Sequence, residues 1–390
     1  MDAYREGRLA RSRRQLSTVP RAVKAGRARA RVAPLRARVV DGPALARLLT
    51  EAGAHAELVE IRIDRPPWTT TALQVAAGEQ VSWFAWGVVQ LVKPLGIAAP
   101  PGPALGVRVA GGALQRSARD SLTFTADRTG RLELAGLAPA GGAGELGPDG
   151  AVRKDRFPYR AITGPVHVVV ARWPADTDVR AALEGVAGRD PSGLCADEVR
   201  RLADPPAPPP GWHWHPLVPP DEVFSATDTG VRMDCPRVGG IIRFPVDVPL
   251  TPTLRVRWSW RLDGLWSPLP EDTMLTHDYV SVALEFDDGR DLTWIWSHSL
   301  PVGFSFACPL EHWRHRETHV VVRTGAPGIG EWRDEERGVL TDHRGAIGGP
   351  TPARVTHAWL IALSLFQLGD SHAQVRRLEL LDGDRVVAVI

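Results

Sequence analysis

Ten of the twelve histidines and ten of the fourteen tryptophans lie at or after Trp212. The side chains best suited to proton transfer, and those best suited to stacking on a sugar ring, are therefore concentrated in the second half of the chain. There His277 and Asp278 stand a short way before Glu285, with Glu271 and Asp272 close upstream. Two carboxylates, or a carboxylate and a histidine, suffice for general acid–base chemistry on a glycosidic bond. Asp278, Glu285 and His277 are accordingly the candidate catalytic residues, although no spacing demands the assignment. Asp278 opens an otherwise apolar strand face, which places its carboxylate either at a sheet rim or buried with a partner.

Strand parity supplies the candidate ligand contacts. Along Leu254–Arg261, the residues Leu254, Val256, Trp258 and Trp260 share one face, and Arg255, Arg257, Ser259 and Arg261 share the other. The plain reading puts Trp258 and Trp260 in a core. In the next strand Asp278, Val280, Val282, Leu284 and Phe286 point one way, and Tyr279, Ser281 and Glu285 the other. Together these make a polar sheet face bearing Arg255, Arg257, Tyr279 and Glu285, able to hold a glycan or another anionic or hydroxyl-rich ligand. An ordinary solvated face laced with ion pairs fits the same pattern equally well. Trp294 and Trp296 join the candidate ligand contacts as stacking surfaces.

The best metal candidate is Glu311–His319, with His312, His315 and His319. The Val320–Val322 run that follows argues for a strand, on which His312 opposes the other two, so no metal site is expected. His213 and His215, beside Trp212 and Trp214, are expected in a linker packing against the domain. No phosphate loop, nucleophile elbow, dinucleotide fingerprint or zinc-protease motif occurs, and no cofactor is expected.

These residues must be positioned by a mostly β structure. The 390 residues exceed one ordinary domain, and 44% apolar with 24% charged residues is globular composition. Abundant glycine (38) and proline (34) between short apolar runs indicate turns between strands. Residues 1–40 hold twelve Arg/Lys against Asp2 and Glu6, which leaves the rest of the chain net acidic. Such a block reads as a solvated or partly helical arm; without aromatic interleaving, nucleic-acid binding is not expected. Cys195, Cys235 and Cys308 fit neither a disulfide framework nor zinc pair spacing. With no apolar segment behind the arginines and no apolar run of membrane length, a cytoplasmic location and no membrane span are expected.

The fold class expected is all-β: two antiparallel, jelly-roll-like β-sandwiches with a helical N-terminal arm and a helical, proline-rich linker. Residues 1–56 form the arm, with a helix over the Pro43–Gly53 stretch. Residues 57–175 form the first sandwich, from runs such as Leu58–Ile63, Thr70–Val75, Val81–Trp86 and Val166–Val170. Residues 176–220 are helical, then stiffened by Pro205–Pro210. Residues 221–390 form the second sandwich, with strands at 254–261, 279–286, 292–297, 319–323, 358–365 and 375–381. One helix is expected from about Gly330 to His343, where Trp332, Glu335, Glu336, Val339 and Leu340 fall at helical spacing.

The run Trp68–Gly87, its continuing strands and the closing Gly164…Arg172-Trp173 resemble the galactose-binding-like bacterial sandwiches that include the galactophilic lectin. Those lectins hold sugar through calcium on a loop rich in Asp and Asn. Here that loop offers Asp149 and Asp155, and the sequence contains no asparagine. In the second half, Arg257-Trp-Ser-Trp260, His277-Asp-Tyr279, Trp294-Ile-Trp296 and Glu331-Trp…Glu336-Arg-Gly-Val339…Asp342 resemble an uncharacterised bacterial domain family. That family is usually rich in Asp and Thr where this chain reads Ser364–Gly369. Three readings follow: carbohydrate-associated binding, with a glycan or polysaccharide as partner; an enzyme acting on glycosides through carboxylates of the second domain; and a protein-interaction scaffold.

Overall fold

The computed structural model describes residues 35–63, 68–92, 97–137, 163–236, 238–265, 270–272, 280–310, 313–364 and 370–389. They divide into two compact units, one of Pro34–Ala207 with Pro219–Asp221, the other of Pro208–Val218 with Glu222–Ile390.

In the first unit, helix α1 (Gly42–Glu51) precedes strands β1 (His55–Arg62), β2 (Thr69–Val75), β3 (Gln80–Gly87), β4 (Val89–Val92), β5 (Ile97–Ala99), β6 (Leu105–Val109), β7 (Ser121–Thr125), β8 (Gly130–Gly136) and β9 (Pro165–Trp173). Helices α2 (Val179–Ala187) and α3 (Leu194–Ala203) follow. The strands build antiparallel sheets in the orders β1-β9-β3-β7, β2-β8-β6 and β4-β5. Asp41 caps α1 by accepting from the Ala44 N–H at 2.9 Å, and Asp178 caps α2 through Ala181 at 3.0 Å. Both helices, with α3, bury Leu45, Leu49, Val179, Leu183, Val186 and Leu194 against Phe84, Trp86, Val169, Ala171 and Trp173 of β3 and β9. The 179–203 helices, expected in the linker, are thus part of the first unit's core. Their apolar stripes need a partner, and the outer face of β3 and β9 supplies one.

The second unit comprises β10 (His213–Trp214), β11 (Phe224–Thr227), β12 (Gly230–Pro236), β13 (Gly239–Pro249), β14 (Leu254–Leu262), β15 (Ser281–Phe286), β16 (Asp291–Ser297), β17 (Ser305–Ala307), β18 (Glu317–Thr324), β19 (Arg333–Gly338), helix α4 (Val339–Ala346), β20 (Arg354–Leu363), β21 (Asp370–Asp382) and β22 (Arg385–Val389). One sheet has seven strands in the order β10-β13-β20-β15-β16-β18-β17; the other has six, β11-β12-β21-β14-β19 with β22 beside β21. All pairings are antiparallel except β16 with β18. Between the sheets, Trp258 and Trp260 of β14 meet Trp294 and Trp296 of β16. The Trp258–Trp294 centroids lie 5.6 Å apart, and those of Trp260 and Trp296 5.9 Å apart. The indole N–H groups of Trp260, Trp294 and Trp296 donate to Glu335, Asp342 and the Gly325 carbonyl.

The helix expected from about Gly330 to His343 is a strand up to Gly338 and a helix only from Val339. Residues 333–338 pair along β14, which sends Glu335 inward to Trp260 and Glu336 outward to Arg255 and Arg257. Edge pairing overrides a local helical period. Among the described residues no helix is long and apolar enough to cross a membrane.

Replacing Trp258 with alanine opens a cavity in this layer and is expected to lower stability by about 3–5 kcal/mol. Arg257→Ala, on the exposed face of the same strand, should cost about 1 kcal/mol or less. Urea unfolding midpoints of the two variants check this, and comparable shifts would remove the indole layer from its central role.

Candidate functional site

Because Leu292, Trp294 and Trp296 face the core, the alternate residues of β16 face outward from the seven-stranded sheet, and its neighbours follow the same parity. Register then sets two polar rows across that outer face. One runs His213 (β10), Arg243 (β13), Trp359 (β20), Ala283 (β15), Thr293 (β16), His319 (β18) and Phe306 (β17). The other, two residues along, runs His357 (β20), Glu285 (β15), Asp291 (β16) and Glu317 (β18). Loop residues cover much of the face: Asp291, Thr293 and His319 have no exposed surface, and Glu317 is 3% exposed.

Glu285 is the centre of the accessible part, half-buried with Arg316 and His357 beside it, and Arg243, also half-buried, follows two strands along as register partner of Trp359. Its Oε2 accepts from Trp359 Nε1 at 3.2 Å and lies 3.3 Å from His357 Nδ1; its Oε1 is 3.5 Å from Arg316 Nη2. The Arg316 guanidinium sits over the Trp313 and Trp359 rings, 5.2 and 5.6 Å from their centroids. His215 completes the wall, edge-on to Trp359 at 4.7 Å. Burial, then the Arg316 and Arg243 charges, push His215 down to about 3, so it is neutral at physiological pH and its Nδ1 accepts from the Leu217 N–H. Burial likewise lowers His357, against the opposing pull of Glu285.

Deeper in the row, burial and the neighbouring Glu317 raise Asp291 well above the usual aspartate range. Thr293 donates to Asp291 Oδ1 at 2.9 Å, while Oδ2 has no hydrogen-bond partner among the described residues. At the far end of β16, Ser297 and the His298 N–H hold Glu271, which burial raises to about 7.

The expected site residues distribute as follows. Glu285 is at the site, but its histidine partner is His357, across the sheet in register. His277, Asp278 and Tyr279 lie outside the described residues. Arg255 and Arg257 do not share a face with Glu285: β14 and β15 belong to different sheets, so the arginines line the opposite outer surface, both paired with Glu336. Trp294 and Trp296, expected as stacking surfaces, are core residues at 0% and 1% exposure and meet no ligand. The segment expected as linker supplies β10, with Trp212 in the core and His213 outward. His312 lies outside the described residues and His315 is exposed while His319 is buried; among the described residues no group of His, Cys, Asp or Glu could hold a metal ion. The loop with Asp149 and Asp155 also lies outside the described residues. Sequence reasoning missed Arg243, Asp291, Arg316, Glu317, His357 and Trp359. The alternation of Asp291, Thr293 and Ser297 with Leu292, Trp294 and Trp296 was a legible signal for part of that set.

The chain is thus a two-unit, mostly antiparallel β-sandwich protein whose second unit carries a partly covered polar sheet face. Residues 223–379 match the model of a family described as a protein of unknown function, DUF3047, on the segment carrying the Trp-x-Trp and Glu-Arg patterns. No curated protein matches. Among solved structures, the chain is similar to the EclA N-terminal domain, a PllA-like lectin, at 17% identity over 30% of this chain and 94% of that one (TM-score 0.23). It is similar to the xyloglucanase domain of NopAA, a type three effector from Sinorhizobium fredii, at 8% identity over 44% and 92% (TM-score 0.26). A third is the N-terminal CBM22-1-CBM22-2 tandem domain of Paenibacillus barcinonensis Xyn10C, at 9% identity over 84% and 91% (TM-score 0.19). TM-scores this low carry no assignment.

Asp291 provides a test of the buried row. Its raised pKa means that the folded protein holds a proton the unfolded chain releases. The corresponding stability is present in acid and is lost as pH rises above the ordinary aspartate value. Asp291→Asn should therefore shrink the loss of stability between about pH 5 and about pH 8 seen in urea unfolding. An undiminished loss in the variant would show that Asp291 carries no such proton.

Proposed function

We propose that the protein is a carbohydrate-binding protein and that its second unit takes a glycan at the Glu285 cluster. One observation carries this reading: hydrogen-bonding groups of both signs, Glu285, Arg316, Arg243 and His357, stand half-buried but reachable on one sheet face, backed by the buried indoles of Trp313 and Trp359. Carboxylate, guanidinium and imidazole groups held in fixed directions by buried indoles suit the hydroxyls of a sugar, which both donate and accept hydrogen bonds. Hydrolysis through two carboxylates is the weaker reading. Glu285 and Asp291 are neighbours on adjacent strands, but Asp291 has no exposed surface, so in this conformation a glycosidic oxygen cannot reach it.

The test is affinity electrophoresis or pull-down of the full chain on a panel of soluble and insoluble polysaccharides. Glu285→Gln and Arg316→Met should each weaken retention roughly tenfold, the loss of a charge-assisted hydrogen bond. Arg257→Ala, on the opposite sheet, should leave retention unchanged. Retention that depends on Arg257 and not on Glu285 would move the ligand to the six-stranded sheet.

A further inference from the structure

Within the Glu285 cluster the charges are unequally matched. Arg316 stands beside Glu285, and its chain neighbour Glu317 flanks it in the buried row. Arg243 has neither carboxylate nor carbonyl partner among the described residues. Its register neighbours are His213 on one side and Trp359 on the other, neither of them an anion. Ile242 is fully buried in the core, so parity directs Arg243 to the outer face with Trp359 and His357. Arg243 is the register partner of Trp359 in the wall of the site, and its charge adds to the downward shifts of His215 and His357. A half-buried guanidinium without a counter-ion is a ready partner for an incoming anion, and its planar fork matches a carboxylate in particular.

We propose that Arg243 is a specificity-determining residue and that the ligand is an acidic carbohydrate, a glycan bearing uronic-acid carboxylates. The sugar carboxylate pairs with Arg243, while Glu285 and His357 engage neighbouring hydroxyls. The inference rests on the carbohydrate reading above and adds the chemical class of the sugar. Pairing of a sugar carboxylate with Arg243 differs from any purely ionic attraction to the basic residues of 1–40, which salt would screen.

The experiment compares retention of the full chain on immobilised polygalacturonate and on the same polymer after reduction of its carboxyl groups, in salt high enough to suppress ion exchange. Free glucuronate and free galactose serve as soluble competitors. The expected result is at least about tenfold tighter retention on the acidic polymer, competed by glucuronate, and lost in Arg243→Met with restoration in part by Arg243→Lys. The far-ultraviolet circular dichroism and urea midpoint of Arg243→Met should match those of the parent protein. Equal retention on both polymers would overturn the acidic-sugar inference and leave the carbohydrate reading standing. Retention on neither polymer, nor on any other in the panel, would overturn both. Preferential retention on the acidic polymer that survives Arg243→Met but vanishes on deletion of residues 1–34 would assign the binding to the arm and overturn the role of Arg243.

Discussion

The second unit depends on the layer of four indoles between its sheets. Trp258 and Trp260 from one sheet, and Trp294 and Trp296 from the other, fill the gap with rings whose centroids are 5.4 to 5.9 Å apart. Two-residue periodicity then leaves no freedom to the alternate positions. With the tryptophans inward, Arg255, Arg257 and Ser259 must face out from the six-stranded sheet, and Asp291, Thr293 and Ser297 out from the seven-stranded one. A slip of one residue in β16 would place Asp291 in the core and two indoles outside it, so the packing also fixes the register of the polar face.

The two outer faces handle their polar residues differently. On the six-stranded sheet, charges meet in exposed ion pairs: Arg255 and Arg257 with Glu336, Arg232 with Asp234, Arg261 with Asp263. Such pairs contribute little to stability, and their charges stay near the cost-free limit set by water. On the seven-stranded sheet, loop residues such as Leu300 and Trp313 close over the surface, and the same alternation leaves Asp291, Glu317 and His319 without solvent. Desolvation of two adjacent acids is unfavourable by several kcal/mol when both are charged, so a proton is retained on the pair. The two faces thus differ in how far their charges are removed from water, and the proposed site lies on the more covered one.

Much of this was legible in the sequence. The alternation of Leu254–Arg261 set Trp258 and Trp260 inward; Leu292–Ser297 was legible as a strand, but its tryptophans, expected against a ligand, stand in the core. Glu285 emerged as an outward carboxylate. Its environment did not, because sequence distance conceals register. His357 and Trp359 lie more than seventy positions from Glu285 yet stand beside it in the adjacent strand, and β14 and β15, consecutive in the chain, belong to opposite sheets. That separation divided the expected Arg255, Arg257 and Glu285 face into two surfaces. The parallel pairing of β16 with β18, which brings Glu317 next to Asp291, has no local signature at all. At 333–338 the local period was helical and edge pairing with β14 prevailed, whereas from Val339 onward the helix formed as its pattern indicates.

The segment after the proline run shows how a short stretch can complete a site assembled elsewhere. Trp212 enters the core, Trp214 packs against it, and the residues between and after them are left to face outward. His213 takes its place beside Arg243 at the sheet edge. His215, with its N–H on the Ile241 carbonyl, is wedged against Trp313 and Trp359. Trp359 is the point at which these constraints converge: it donates to Glu285, meets the edge of His215, underlies Arg316 and is register partner of Arg243. Its ring has no exposed surface of its own, so its contribution is to hold four polar neighbours in fixed directions instead of leaving them to water. A polar cluster held by a rigid indole keeps its geometry when empty, and preorganisation of that kind lowers the entropic cost of taking up a polar ligand.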